Sequence, residues 1–125
     1  MQDHRRLHVY QEARDLALEV YAVAAALPAS ERFNLARQLR CATVFVGLNI
    51  AEDCGRATRK DLCAFLSVAL GSAWELEFQL DLCERTALTP KDRVARAMET
   101  TKRVQQMLTR LIVQIRLRGR ETDDG

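Results

Sequence analysis

Apolar side chains recur at three- and four-residue steps through four separate stretches of this chain, and no stretch alternates apolar and polar residues. A stripe of that period faces one side only when the backbone is helical, so the pattern admits helices and leaves no place for a sheet. The first stripe is Val9, Ala13, Leu16, Ala17, Val20, Ala24 and Leu27, closed by Pro28, which cannot continue a helix. Ser30 offers a cap for a second stripe of Leu35, Leu39, Ala42, Val46 and Ile50, ending at Gly55. Thr58 with Asp61 makes a capping box ahead of Leu62, Phe65, Leu66, Ala69, Ala73, Leu76, Leu80 and Cys83. Thr89, Pro90 and Asp92 have the chemistry of N-cap, N1 and N3 for a fourth stripe of Val94, Met98, Thr101, Gln105, Leu108, Ile112 and Ile115. The expected helices span 8–27, 31–54, 59–86 and 90–118, with a tail at 119–125. Short connections make neighbours antiparallel, so the expected fold is one all-α domain, an up-down-up-down four-helix bundle.

Composition narrows the function classes. Hydrophobic residues make up 48% and charged residues 29%, with five Gly and two Pro, the balance of a soluble helical protein. No apolar run reaches the roughly 20 residues of a membrane span, and Met1 to Arg6 lead into no apolar signal region, so a cytoplasmic location is expected. Cys41, Cys54, Cys63 and Cys83 form no C-x-x-C pair, which points to reduced thiols rather than a zinc site. His4 and His8 share a helix face but lack a third ligand, so no metal is expected. A Gly-rich phosphate loop, G-x-S-x-G and H-E-x-x-H are all missing, and the chain is expected to be neither an enzyme nor a cofactor carrier.

Two helices carry more apolar surface than one core can use. Val44, Phe45 and Leu48 point away from the inner stripe of the second helix, and Leu70, Trp74 and Phe78 form a rotated stripe on the third. A helix apolar on several faces is buried on several faces, so these six residues are candidates for an interface between copies of the chain. The alternative is a single wide core. Within the same region Gln38, Arg40, Asn49, Glu52 and Glu75 could gather between the second and third helices. Such a cluster would be a small active site or, as the better reading, a hydrogen-bonded network that fixes helix register.

Charge is unevenly spread although the net formal charge is only +2. Lys102, Arg103, Arg110, Arg116, Arg118 and Arg120 fall in a stretch from Thr100 to Arg120 without an acidic residue, and Arg56, Arg59 and Lys60 make a second basic segment. Arg56, Arg59, Lys60, Lys102, Arg103, Arg110, Arg116 and Arg118 are therefore the candidate contacts to nucleic-acid phosphates. Aromatic residues for base stacking are scarce, so backbone contact is expected without base reading. The bland alternative is charge neutralisation between neighbouring helices or subunits.

The segment RQLRCATVFVGLNIAEDCGR resembles a signature of the 23S ribosomal RNA intervening-sequence protein family, through Gln38, Arg40, Ala42, Asn49, Ile50, Ala51, Glu52, Gly55 and Arg56. The third stripe is similar to that family through Phe65, Leu66, Ala69, Gly71, Ser72, Glu75, Leu76, Gln79 and Leu80, as is VYQEARDLALEVY in the first. The chain departs from the family pattern at Phe45, Gly47, Leu48 and Asp53. The resemblance covers Val9 to about Ile115. It implies a four-helix bundle that assembles as a homopentamer, similar to accessory proteins of diversity-generating retroelements, which bind nucleic acid and a reverse transcriptase. A five-fold ring needs two different patches per subunit, which the stripes of the second and third helices could supply. The reading that follows is a non-enzymatic homo-oligomer that binds RNA or DNA through basic helix faces. The rival is an oligomeric scaffold for a protein partner.

Overall fold

In a computed structural model of the chain, residues 4–52 and 58–122 are described, with side chains to residue 119. Four α-helices account for nearly all of them: α1 (His4–Ala26), α2 (Leu35–Ala51), α3 (Arg59–Thr86) and α4 (Lys91–Thr122). Each packs against its two neighbours around a square, α1 on α2 and α4, and α3 on α2 and α4. The expected all-α bundle is present. Among the described residues no helix is long and apolar enough to cross a membrane.

The periodic stripes form the core as their spacing dictates. Leu16, Leu39, Leu66, Leu76, Leu80 and Leu108 are fully buried, and Val9, Val46, Ile50 and Ile115 complete the layers between them. Complete burial of each such side chain contributes about 1.5–3 kcal/mol, so this stripe supplies most of what holds the helices together. Val23, Ala97, Val104 and Leu111 are also buried, which widens the inner faces of α1 and α4 beyond the expected lines. Phe65 and Met98 lie at the margin, half-buried.

The ends of the helices separate good local signals from misleading ones. Thr58 and Asp61 form the expected capping box, each side chain satisfying the other's backbone N–H. Ser30 does not cap α2. Ala29–Glu31 instead winds a short 3-10 turn, and α2 starts at Leu35 behind Asn34, whose Oδ1 accepts from Gln38 Nε2 at 3.3 Å. Thr89 also fails as a cap, because its hydroxyl is buried without a hydrogen-bond partner. Helix α3 ends at Ala87 in the left-handed conformation, φ 55°, where its N–H bonds the carbonyl of Glu84. A side chain there costs about 1 kcal/mol relative to glycine.

Candidate interaction surfaces

The second apolar face survives folding as exposed surface. Phe45 is 57% and Leu48 58% exposed on α2, and Trp74 is 55% and Phe78 64% exposed on α3. Val44 joins them at the edge of α2. Leu70, expected in the same stripe, is instead half-buried and packs against the core. The single wide core is therefore excluded for the other five residues. Val68 and Leu82, which the stripe analysis passed over, extend the outward apolar face of α3 in both directions.

The aromatic pair stands at the margin of a groove between α3 and α4. One part, about 450 Å³, is lined by Trp74, Glu77, Lys102, Gln105, Gln106, Thr109 and Arg110. An adjoining part, about 360 Å³, lies among Trp74, Glu77, Phe78, Asp81, Met98 and Lys102. Gln105 anchors the groove floor: its Nε2 donates to the carbonyl of Ala73 at 3.3 Å and to Glu77 Oε1 at 3.2 Å, tying α4 to α3. Gln105 is buried, and its amide would be costly there without those acceptors.

Among the described residues, Gln38 and Asn49 bond within their own helix rather than across to α3 as expected. Gln38 bonds Asn34, and Asn49 Nδ2 donates to the carbonyl of Phe45 at 2.9 Å, one turn back on its own helix. Glu75 is exposed on α3, Glu52 is exposed at the end of α2, and Arg40 is half-buried. The physical reason is that an amide on an outer helix face finds its nearest acceptor in its own preceding turn. Arg6 of α1 does reach this end of α2, donating to the carbonyl of Ile50 at 3.1 Å and to that of Glu52.

The basic candidates divide by role. Arg103 Nε donates to Glu12 Oε1 of α1 at 2.8 Å and Arg103 also bonds the Thr100 hydroxyl, so it clamps α4 to α1. That hydrogen bond to Glu12 raises the Arg103 pKa further above its ordinary value. Lys102 and Arg110 line the α3–α4 groove. Arg116 and Arg118 are exposed in the last turns of α4, and Arg59 and Lys60 in the first turn of α3. Because α3 and α4 are antiparallel neighbours, these four residues share one end of the bundle. Arg56 lies outside the described residues, as does Cys54, and the side chain of Arg120 does also.

Other candidates resolve plainly. His4 and His8 open from α1 onto a cavity of about 230 Å³ with Arg5, Met107, Arg110, Leu111 and Gln114. Among the described residues no group of three or more His, Cys, Asp or Glu could hold a metal ion. Cys41 is an exposed free thiol, whereas Cys63 and Cys83 are buried. Burial, with Glu31 as a lesser cause, pushes the Cys83 thiol up to about 11, which keeps it protonated and unreactive at neutral pH.

The sequence profile described as 23S rRNA-intervening sequence protein matches residues 5–110, a span running from the first turn of α1 past the middle of α4. The chain belongs to this family. The fold has a counterpart in the crystal structure of a protein of unknown function from the S23 ribosomal protein family of Bacteroides thetaiotaomicron. The two share a TM-score of 0.77 and 21% identity over 86% of this chain and 97% of that one. At that identity the likeness concerns the fold alone. No curated protein matches the chain.

Proposed function

We propose that this member of the intervening-sequence family is a non-enzymatic, self-associating bundle that binds the backbone of RNA or DNA at its basic end. The observation that carries the nucleic-acid reading is the meeting of Arg59 and Lys60 with Arg116 and Arg118, which lie more than fifty residues apart in sequence. Four exposed cations at one end of the bundle suit a ligand that brings negative charge. Self-association is supported by the exposed apolar side chains of α2 and α3, since grouped apolar surface of this kind is what protein contacts use. In an oligomer, five-fold by family resemblance, each basic end is repeated, and modest monomer affinities combine.

The test is anisotropy of labelled mixed-sequence RNA and duplex DNA titrated with wild type and with Arg59→Glu/Lys60→Glu and Arg116→Glu variants. Each phosphate contact removed should weaken binding for every sequence and lower the salt slope by about one. Affinity indifferent to these reversals would favour the protein-scaffold reading.

A further inference from the structure

The seam between α1 and α4 changes character along its length. At its middle Arg103 of α4 meets Glu12 of α1, cation on carboxylate, at 2.8 Å. Further along, Gln114 of α4 accepts a hydrogen bond from Arg5 of α1, so the two helices run in opposite senses. Two turns beyond Arg103 stands Arg110, and two turns before Glu12 stands Arg5. A carboxylate at that place on α1 would repeat the pairing, but the chain has Arg5 between His4 and the next turn's His8. Among the described residues Arg110 has no ion pair.

These groups surround the cavity of about 230 Å³ between the two helices. His4, Arg5 and His8 line it from α1 and Arg110 from α4, over apolar side chains of Met107 and Leu111, and no acidic residue joins them. The bond to Gln114 holds the Arg5 guanidinium at the rim. Glu12, one turn past His8, is already engaged by Arg103. Helix α2, packed on the other side of α1, sends no residue to the cavity, and Arg6 turns to it instead, bonding the carbonyls of Ile50 and Glu52. Pockets that enclose drug-sized ligands measure roughly 300–1,000 Å³, so this one suits a single small group. Cations gathered over an apolar floor repel one another with less screening than in open water, and an anion among them would relieve that. Arg110, Gln114 and Arg118 follow at four-residue steps, so one row of α4 joins the cavity to the basic end of the bundle.

From this we infer that the α1–α4 cavity holds the terminal phosphate of a nucleic-acid strand whose backbone lies on the basic end. Arg110 and Arg5 offer planar N–H forks to phosphate oxygens, and His4 and His8 donate from their ring nitrogens. A terminal phosphate is a monoester, with a second ionisation near pH 6, whereas an internal phosphodiester carries one charge. Walls that reach four positive charges with no acidic residue favour the doubly charged end over any internal link. The two arginines stay charged throughout the neutral range, so the imidazoles are the lining groups whose charge changes between about pH 5 and 8. Preference for a phosphorylated end is therefore greatest near pH 6.5, where imidazolium and phosphate dianion coexist, and falls towards pH 8.

The inference rests on the nucleic-acid reading, and two readouts separate their failures. The chain has two histidines, both at this cavity, so their imidazole proton signals report on it directly. Inorganic phosphate added at constant ionic strength should move both signals saturably and shift their titrations to higher pH, where chloride does neither. Arg110→Gln, at an exposed site, should abolish the response while circular dichroism stays that of wild type. Anisotropy then compares one RNA sequence unphosphorylated, 5′-phosphorylated and 3′-phosphorylated. At least one phosphorylated end should bind roughly tenfold tighter near pH 6.5, and the ratio should fall towards one in Arg110→Gln and in His4→Gln/His8→Gln. Arg59→Glu/Lys60→Glu should weaken all three oligomers and keep the ratio. Three oligomers bound alike overturn this inference and leave the nucleic-acid reading standing, as does a preference that survives Arg110→Gln. Imidazole signals that answer to inorganic phosphate while the oligomers bind alike assign the cavity to free phosphate and overturn the strand-end assignment. Oligomers that all fail to bind at low salt overturn the nucleic-acid reading itself.

Discussion

Replacing Gly71 by alanine should stabilise the single chain. The site is an exposed position in the interior of a 28-residue helix, with right-handed backbone and open space where the methyl group would go. Alanine therefore introduces no clash and removes the excess backbone freedom that glycine has in the unfolded state. The gain is about 0.5–1 kcal/mol. For a domain of this size it corresponds to a rise in Tm of roughly 2–6 °C. The measurement is thermal and urea unfolding followed by far-UV circular dichroism, at a dilution where light scattering reports the mass of one chain. Under those conditions a subunit contact cannot contribute, and only the helix term remains. A single chain no more stable than wild type would refute the reasoning, because it would mean that something within the chain already occupies the space beside Gly71.

Leu76→Ala, at a fully buried position of α3, should destabilise by about 3–5 kcal/mol in urea unfolding, since the rigid layers around it cannot collapse into the void. Ala87→Gly should raise stability by about 1 kcal/mol in the same assay, because it relieves the left-handed backbone at the end of α3. Cys83 has a folded-state pKa of about 11 against 9.0 for the free thiol, so its raised value favours folding fully below pH 9. That contribution, about 2–3 kcal/mol, is lost as pH rises from 9 to 11, and Cys83→Ala should flatten this part of the stability profile. Iodoacetamide followed by peptide mapping should find Cys41 alkylated at neutral pH and Cys63 and Cys83 protected until the chain unfolds.

The bundle could be read from the chain because burial has a period. Leu39, Val46, Leu66, Ala73 and Leu80 recur at the spacing of one helix face, and that face is where a core must be. The capping box at Thr58 was equally local and equally legible. Ser30 and Thr89 had the right chemistry but the wrong backbone. The turn at Ala29–Glu31 moves the start of α2 beyond Ser30, and the chain leaving Ala87 carries the Thr89 hydroxyl into a buried position. The polar residues were harder. Helical spacing said that Asn49 and Glu52 were near one another but not that the Asn49 amide would bond its own helix. Contacts such as Arg103 with Glu12 or Gln105 with Glu77 join different helices, and no local pattern marks which of several cations or amides will find a partner. That is why Arg103, one of eight basic candidates by sequence, proves to brace α1 against α4. The converse also holds: Arg59 and Lys60 gained meaning only when antiparallel packing set them beside Arg116 and Arg118.

The most direct measurement of the proposed function is the affinity of the purified chain for mixed-sequence RNA and duplex DNA across a salt series, with particle mass recorded in each buffer. The account predicts binding by the assembled form, a steep linear fall of log affinity with log salt, and weaker binding with a shallower slope in the Arg59→Glu/Lys60→Glu variant. An assembled protein that binds neither nucleic acid at low salt would contradict it.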